Sequence, residues 1–492
     1  MSLPLNMGQR YKSDGLRFVA AALSLLIAAH PVRAQAPEDV RIAFLEWAEK
    51  SLQPVSNADL DASTKDLRHI ERMIGDAKIV GLSEGIHGAA EPLIFRNRLL
   101  KHLVEHLGFN AIAIESGVVE SRVLNDYVTQ GKGDFDTVLK QGFSNGFDTF
   151  RQNGELLRWM KEYNARLPPD AAKVQIFGLD VPGSPGNFDA ARGPDTALRS
   201  ALEYLRVADP QAAMELQSRI EAFLPVLKGI NGYGELKQSE RDALTAAIAD
   251  LVSLMERQRL AYLGKSSKDD FDWAERAAIG ARQTDTWFRR MPLEWKLEDG
   301  LEWTRYAMQV RDRTMADNLE WVRSRLGSRG RVLVFAAAGH LATTAVQVPA
   351  SPFRETVPLG AYIKDRYGSD FINILNLVAN GEIEYCSANP RRLMPLKPPP
   401  GSAVETLFAA VNVPRYVLDL RRASPDVSSW LQQVHDHWNG FGAVQFATAG
   451  AFDLVYYVSP VTSACVPRRT SFGPLGNRHT TVQPSDFAYT KA

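Results

Sequence analysis

This sequence has little cysteine and no excess charge of either sign. Among its 492 residues are two cysteines, 57 basic residues and 57 acidic residues. A balanced charge creates no general attraction to nucleic acid or to an anionic membrane, so neither is predicted as a partner. Cys386 and Cys465 lack the spacing of a zinc finger. They form a disulfide in an oxidising compartment or remain two buried thiols, and the sequence leaves both open.

Long hydrophobic runs are also scarce, and the clearest one lies near the N-terminus at residues 18–29. Lys12 and Arg17 precede this run, and the small-residue sites VRA and AQA follow it. This order is typical of a secretory signal peptide, which we assign to residues 1–36. The run is short for a membrane-spanning helix, although an uncleaved anchor is the alternative. We therefore expect a periplasmic or secreted protein without stable membrane association after cleavage.

The remaining chain alternates apolar runs with helical patterns. Residues 77–116 combine an apolar run, a glycine-containing turn, an amphipathic helical pattern and a second apolar run. This order predicts a βαβ unit with parallel strands and a right-handed crossover. Similar apolar runs at 173–180 and 331–340 add further buried strands. The sequence therefore predicts a three-layer α/β fold with a central, mostly parallel sheet.

One long segment departs from this alternation. From about residue 195 to 290 the pattern is helical throughout, with many Ala, Leu, Glu and Arg residues. We interpret this segment as a helical insertion within one α/β domain that covers residues 37–465. Residues 466–492 are polar and are predicted to form a loose tail. No internal repeat stands out.

Polar side chains follow each predicted strand. Glu84 and His87 come after the first strand, Glu115 ends the second, Asp180 ends the third and His340 follows the fourth. A single Glu or His in such a place is more often solvated or packed than functional. Several such residues, each at the end of a different strand, make a functional site a stronger interpretation, because ligands of open α/β sheets bind outside the carboxyl ends of strands. We therefore predict one crevice that contains these residues.

The first of these segments also resembles a known family. SEGIHGAAEPLIFRNRL followed by FNAIAIES resembles the erythromycin esterase-like family, whose pattern is close to GExxHGxxEFxxxRxxL with a Glu after the next strand. The matching residues are Glu84, His87, Gly88, Glu91, Arg96 and Glu115. Ser83 and Pro92 are minor departures. The segment 306–326 resembles the family pattern RDxxMAxNxxWL and includes Asn318.

One departure from the family is more serious. The family usually shows a WAHNxH pattern after the fourth strand, and this chain has FAAAGH at residues 335–340. His340 matches the second histidine, whereas Ala337 and Ala338 stand in the places of the first histidine and the asparagine. The substitution removes a candidate base or ligand.

The resemblance implies opening of a macrolactone ester by water, and we predict general-base catalysis rather than a serine nucleophile. His87 would take the proton from water, and Glu84 would fix its tautomer. Arg96 would pair with a carboxylate or polarise the carbonyl. The predicted catalytic residues are His87, Glu84, Glu115, Arg96 and His340. Asp180 and Asn318 are predicted to bind substrate, although Asp180 would alternatively orient a neighbour.

Several alternatives remain open at this stage. Two His and two Glu side chains also suit zinc or manganese, although we predict no metal and no cofactor. The enzyme would otherwise act on another acylated metabolite or glycan, or the chain would be a small-molecule binding protein that retains the crevice without turnover. A macrolide site favours a large apolar vestibule, whereas a glycan site favours clustered aromatic and carboxylate side chains.

Overall fold

The computed structural model describes residues 35–183, 194–228, 230–292, 297–347, 356–386 and 391–466. Most of the predicted signal peptide and nearly all of the predicted tail lie outside the described residues. The helices are α1 (Glu38–Ser51), α2 (Arg68–Ile74), α3 (Ala90–Leu107), α4 (Ser121–Gln130), α5 (Phe135–Gly142), α6 (Arg151–Arg166), α7 (Asp195–Ala208), α8 (Pro210–Ile220), α9 (Ile230–Glu235), α10 (Gln238–Arg257), α11 (Arg259–Leu263), α12 (Lys268–Phe288), α13 (Leu297–Leu326), α14 (Ala338–Leu341), α15 (Leu359–Tyr367), α16 (Val404–Ala409), α17 (Pro425–Leu431) and α18 (Thr448–Ala451).

The strands are short and mostly apolar. They are β1 (Gln53–Pro54), β2 (Ile79–Glu84), β3 (Ala111–Gly117), β4 (Gln175–Asp180), β5 (Val332–Ala337), β6 (Phe371–Val378), β7 (Glu382–Glu384), β8 (Leu393–Pro395), β9 (Arg415–Asp419), β10 (Val434–Trp438), β11 (Ala443–Ala447) and β12 (Leu454–Val458). Strands β7 and β8 form one small antiparallel pair, and β10 and β11 form another.

Eight of the described strands form one sheet, in the order β1-β9-β12-β6-β2-β5-β3-β4. The strands from β12 to β4 are all parallel to one another. At one edge of the sheet, β9 pairs antiparallel with β12, and β1 pairs antiparallel with β9. The chain passes from β2 to β3 and later returns to place β5 between them and β6 on the far side of β2. Such a change in strand order opens a crevice at the carboxyl ends of the strands, here beside β2.

Both faces of the sheet are covered, as continuous apolar strands require. Along β5, Val332 and Val334 pack into one core, whereas Leu333 and Phe335 pack into the other. This alternation follows from the two-residue period of a strand. Helices α3, α4 and α6 pack on one face, and α1 and α7–α13 pack on the other. The predicted three-layer α/β fold with a mostly parallel sheet is confirmed.

The segment predicted as a helical insertion folds as helices α7–α12, of which α7, α10 and α12 pack together. Helix α13 then follows over 30 residues and packs along β4. The insertion therefore widens one layer of the fold rather than standing apart from it. The exact domain limits at residues 37 and 465 stay predictions. No helix within the described ranges is both long and apolar enough to cross a bilayer.

The segment after β12 fastens the loop that precedes α3. The backbone N–H and the hydroxyl of Thr462 donate to the two carboxylate oxygens of Glu91, at 2.7 and 2.8 Å. The N–H of Ala464 donates to the carbonyl of Gly88 at 2.8 Å. The structure also joins Cys386 and Cys465 by a disulfide, which is the first of the two alternatives left open above. We call residues 462–465 the C-terminal clamp.

Candidate active site

The site begins where β2 ends. Glu84 is the last residue of β2, and a tight turn carries the chain from it to helix α3. Gly85 lies against Asn376 of β6, and a Cβ at residue 85 would stand 2.8 Å from the Asn376 carbonyl. Gly88 has a φ of +88°, which a glycine adopts without strain. The two glycines therefore let the turn place His87 above the end of the sheet.

His87 and Glu84 form a directly bonded pair. Nδ1 of His87 lies 2.6 Å from Oε2 of Glu84. The glutamate is buried, whereas the histidine side chain is 49% exposed and packs beside Phe147. Burial opposes protonation of the ring, but the charge and hydrogen bond of Glu84 outweigh it and raise the pKa of His87 to about 9. His87 is thus a strong base that solvent reaches.

Arg96 is buried behind this pair. Its guanidinium donates to the side-chain oxygens of Asn97 and Asn153 and stacks over the ring of Phe335, 4.9 Å from the ring centroid. Burial lowers the pKa of Arg96 to about 10, and the charge of Glu84 opposes that decrease. The predicted pairing of Arg96 with a carboxylate is therefore electrostatic rather than a direct hydrogen bond.

A second, larger cluster surrounds Arg311 of α13. Nη2 of Arg311 donates to Oε1 of Glu115 at 2.7 Å and to Oδ2 of Asp180 at 2.6 Å, and Nε donates to both Asp180 oxygens. All three side chains are largely buried. Burial alone would lower the pKa of Arg311, but Asp180 and Glu115 raise it above its usual value. The three charges form a rigid link between α13 and strands β3 and β4.

His340 is held by the same cluster. Its Nδ1 lies 2.8 Å from Oδ1 of Asp312, and its Nε2 lies 3.0 Å from Nη1 of Arg311 and 3.4 Å from Oε1 of Glu115. The arginine contact needs an unprotonated Nε2, whereas the glutamate contact needs a protonated one. Burial opposes protonation, but Asp312 and Glu115 together raise the pKa of His340 to about 10.

Strand β5 connects the two clusters through Ala337. The N–H of Ala337 donates to Oε2 of Glu115 at 2.7 Å, and Ala337 is paired with Glu84 across the sheet. The charge of Glu115 also acts on His87. The structure therefore brings Glu84, His87, Arg96, Glu115 and His340 to one end of the sheet. That these residues act on a substrate stays a prediction.

A cleft of about 360 Å³ opens beside His87. Glu84, His87 and Ala337 lie on its β2 and β5 side, and Leu375–Val378 of β6 line its floor. Its other wall combines aromatic and polar side chains from α16, from β10 and β11 with the turn between them, and from the end of β7. Those residues include Tyr385, Glu405, His437, Trp438, Asn439, Phe441 and Phe446. The small side chain of Ala337 leaves this part of the cleft open.

Asn318 lies in another environment. Its oxygen accepts from Nη1 of Arg276 and Nε2 of Gln283, and its amide donates to the carbonyl of Leu179 at 2.6 Å. The side chain is fully buried. These contacts tie α13 to α12 and β4, and Asn318 is not among the residues that line the cleft. The structure thus places this predicted substrate-binding residue in the packing of the helical layer.

Some residues of the site were not among the predicted site residues. Arg311 and Asp312 stand in the family-like stretch of α13, so their signal was present in the sequence. Glu405 and His437 carry no recognisable motif. The only hint is VHDHW, in which two histidines alternate on one short strand. Their distance in sequence from Glu84 hides the fact that both line the same cleft.

A Gly-x-Ser-x-Gly string does occur at residues 142–146, and it must be weighed against the predicted absence of a serine nucleophile. Ser144 follows helix α5, whereas a nucleophile elbow lies between a strand and a helix. Its Oγ accepts the N–H of Gly117, and its own N–H donates to Oγ of Ser116, both at 2.8 Å. The serine therefore braces the end of β3.

Metal binding was the other open alternative for these side chains. In the part of the chain that the structure describes, no group of three or more His, Cys, Asp or Glu residues is arranged to hold a metal ion. The donor atoms are instead engaged with one another and with arginine. A cationic guanidinium at the centre of the second cluster already neutralises its carboxylates.

Comparison with known proteins adds a family to this geometry. A model of the erythromycin esterase family matches residues 104–460, well over half of the chain. The chain belongs to the erythromycin esterase family. The resemblance predicted from the motifs is thereby confirmed. The matched span begins within α3, after Glu84 and His87, so these two residues are tied to the family by their own motif.

Individual relatives are distant. The chain is 24% identical to the erythromycin esterase type II of Escherichia coli over 337 residues, which are 67% of this chain and 76% of that protein. A solved protein from Bacillus cereus is similar in fold, with a TM-score of 0.73, 23% identity and coverage of 87% of this chain and 99% of that one. A solved succinoglycan biosynthesis protein has a TM-score of 0.70 at 19% identity, with the same coverages. Family membership supports a hydrolase.

Proposed function

We propose that this protein is a hydrolase that cleaves an ester or macrolactone with water activated by His87. The observation that carries the proposal is the His87–Glu84 pair. A buried carboxylate holds Nδ1 at 2.6 Å while the ring stays half exposed in a cleft. With the Nδ1 proton directed at Glu84, Nε2 of the neutral ring is the basic nitrogen.

The chemistry follows from this tautomer. As Nε2 of His87 removes a proton from water, the water oxygen bonds to the ester carbonyl carbon and forms a tetrahedral intermediate. The bond between the carbonyl carbon and the alkoxy oxygen then breaks, and the alkoxy oxygen keeps the electron pair and takes up a proton to become the alcohol. Glu84 stabilises the imidazolium that forms, and such positioned acid–base assistance is typically worth about 10²–10⁴-fold in rate. The Arg311 cluster holds β3 and β5 in place around these two residues.

The cleft favours a second candidate substrate, an acylated glycan. Four aromatic side chains and two carboxyl groups line the space, and its volume of about 360 Å³ is near the lower end for small-molecule sites. Aromatic faces and carboxyl groups suit sugar rings better than a large apolar macrolide. One of the structural relatives is a succinoglycan biosynthesis protein. We therefore place an acylated glycan beside a macrolide as a substrate of the same chemistry.

A mass-spectrometric screen tests the proposal. Purified protein is incubated with macrolides, acetylated oligosaccharides and simple esters, each with and without a chelator. The expected result is the addition of one water to a macrolactone, or cleavage of an acyclic ester into its alcohol and carboxylic acid, and either is abolished in a His87→Ala variant. Binding of a compound without any turnover would instead favour a binding protein that retains the crevice.

We also propose that the chain is exported to the periplasm or beyond. The N-terminal pattern supports this proposal, and a Cys386–Cys465 disulfide fits an oxidising compartment. Intact-mass analysis of the protein from the extracytoplasmic fraction is expected to show a start near residue 35 or 37. A full-length mass that begins at Met1 would contradict it.

A further inference from the structure

A second carboxyl group lines the cleft, on the wall opposite β2. Glu405 of α16 is almost completely buried, and one of its oxygens accepts the backbone N–H of Trp438 at 2.9 Å. Its other oxygen lies 3.8 Å from Nδ1 of His437, which is beyond hydrogen-bond range. Both residues line the same cleft as His87. Glu405 has no place in the base chemistry described above.

The two carboxyl groups of the cleft have opposite surroundings. Glu84 lies beside a protonatable histidine and the cation of Arg96. The neighbours of Glu405 are neutral or acidic. They include His437, whose ring stacks 3.7 Å from that of Phe446, and Asp436, which lies beside His437 on β10. Tyr457 is a further neutral neighbour of Glu405. Burial, with a contribution from Asp436, raises the pKa of Glu405 to about 8, and burial lowers the pKa of His437 to about 3.

Titratable groups in one site whose surroundings shift their pKa values apart are commonly the acid and the base of one reaction. His437 is neutral, so it does not provide the positive charge that would keep Glu405 ionised. Nδ1 of His437 lies 3.8 Å from the oxygen of Glu405 that the Trp438 N–H leaves free, so no hydrogen bond from this histidine holds that oxygen in the ionised form. This arrangement keeps a proton on Glu405 and leaves that proton available to the cleft.

We propose that Glu405 is the general acid of this enzyme and that it protonates the departing alkoxide. The proposal rests on the ester hydrolysis proposed above. When the tetrahedral intermediate collapses, the bond between carbon and alkoxy oxygen breaks, and its electron pair takes the proton of Glu405. The products are the alcohol and the carboxylic acid. His87 has gained one proton and Glu405 has lost one, and exchange with solvent restores both.

Leaving groups of different basicity test this role directly. An alkyl ester needs protonation of its alkoxide, whereas a p-nitrophenyl ester releases a phenoxide that leaves without it. Glu405→Gln is expected to lower kcat on an alkyl acetate by about 10²–10⁴-fold and to change kcat on p-nitrophenyl acetate by less than about threefold. Glu382→Gln, an exposed residue of β7, is the matched control and should leave both rates unchanged.

Other outcomes overturn the proposal in distinguishable ways. An equal decrease on both esters assigns Glu405 a packing role, and an unchanged alkyl rate removes it from the mechanism. If Glu405→Gln does not fold, the wild type alone decides the matter. Because neutral His87 is also needed, its rate on the alkyl ester should stop increasing near pH 8 and decrease above about pH 9, whereas its rate on the p-nitrophenyl ester should increase to about pH 9 and then stay level. If the wild type cleaves neither ester, the proposed hydrolase function is wrong. If cleavage of both esters is lost in His87→Ala but retained in Glu405→Gln, the hydrolase function stands and the role of Glu405 as general acid is wrong.

Discussion

The two histidines at the carboxyl end of the sheet have contrasting surroundings. His87 has one hydrogen bond and 49% of its side chain exposed, whereas His340 is 8% exposed and contacts Asp312, Arg311 and Glu115. A base must accept a proton from water and release it again, so it needs access and few competing donors. His87 meets both conditions. The comparison supports the proposal that His87 is the base and that His340 holds the structure around it.

Removal of each histidine in turn is the strongest way to break this comparison. His87→Ala should lower kcat by about 10²–10⁴-fold, and because it also removes the partner of the buried Glu84 it should lower the melting temperature, although less than His340→Ala does. His340→Ala should lower the melting temperature and retain more activity. His69→Ala, an exposed histidine of α2, is the control. A folded His340→Ala protein without activity, beside an active His87→Ala protein, would reverse the assignment.

Arg311 and Arg313 of the same helix offer a matched pair for stability. Arg311→Met leaves the buried Asp180 without its cation, and breaking such a pair typically costs about 3–5 kcal/mol of unfolding free energy. Arg313 pairs with Asp317 at the surface, where 61% and 47% of the side chains are exposed. Arg313→Met should therefore cost less than about 1 kcal/mol. Urea denaturation measures both, and equal costs would contradict a structural role for the cluster.

The pH dependence sharpens the assignment of His87. The base must be neutral, so kcat/KM on a p-nitrophenyl ester should increase about tenfold per pH unit and level off near pH 9. Glu84→Gln removes the charge that raises the pKa, so the midpoint should move down toward the ordinary histidine value. An unchanged midpoint in Glu84→Gln would show that another group titrates.

Asn318 provides the smallest expected effect on activity. Its three hydrogen bonds join α13 to α12 and β4 outside the cleft lining, so Asn318→Ala should lower stability by about 1–3 kcal/mol and leave KM nearly unchanged. Thermal unfolding and substrate titration on the same sample separate the two. A large increase in KM with an unchanged melting temperature would restore the substrate-binding role predicted for this residue.

These contrasts also show how far the sequence predicts the molecule. The apolar runs that became β2, β3, β4 and β5 are continuous and end in polar residues, so both the parallel sheet and the positions of Glu84, Glu115 and His340 could be predicted. The partner of each residue could not. Asp180 was predicted to bind substrate, but its carboxylate is bonded to Arg311, which lies 131 residues away in the sequence.

The far wall of the cleft illustrates the same limit. Glu405 and His437 come from a short helix and a two-stranded hairpin that lack strong periodicity. Nothing local in either segment indicates that they approach Glu84 and His87. Contacts between residues so far apart in the sequence depend on how the whole chain folds, and no local pattern in the sequence indicates them.

The C-terminal clamp has a consequence for how this site comes into being. The turn that carries His87 lies near the start of the domain, and Thr462, which bonds to Glu91 at the end of that turn, lies 371 residues later in the chain. During synthesis, proteins emerge from the N-terminus at about 5–20 residues per second. At that rate the clamp is synthesised roughly 20–75 seconds after the turn that carries His87. A chain that ends after Glu405 but before Thr462 holds every proposed catalytic residue and still lacks the contacts to Gly88 and Glu91 that fasten the segment beside His87.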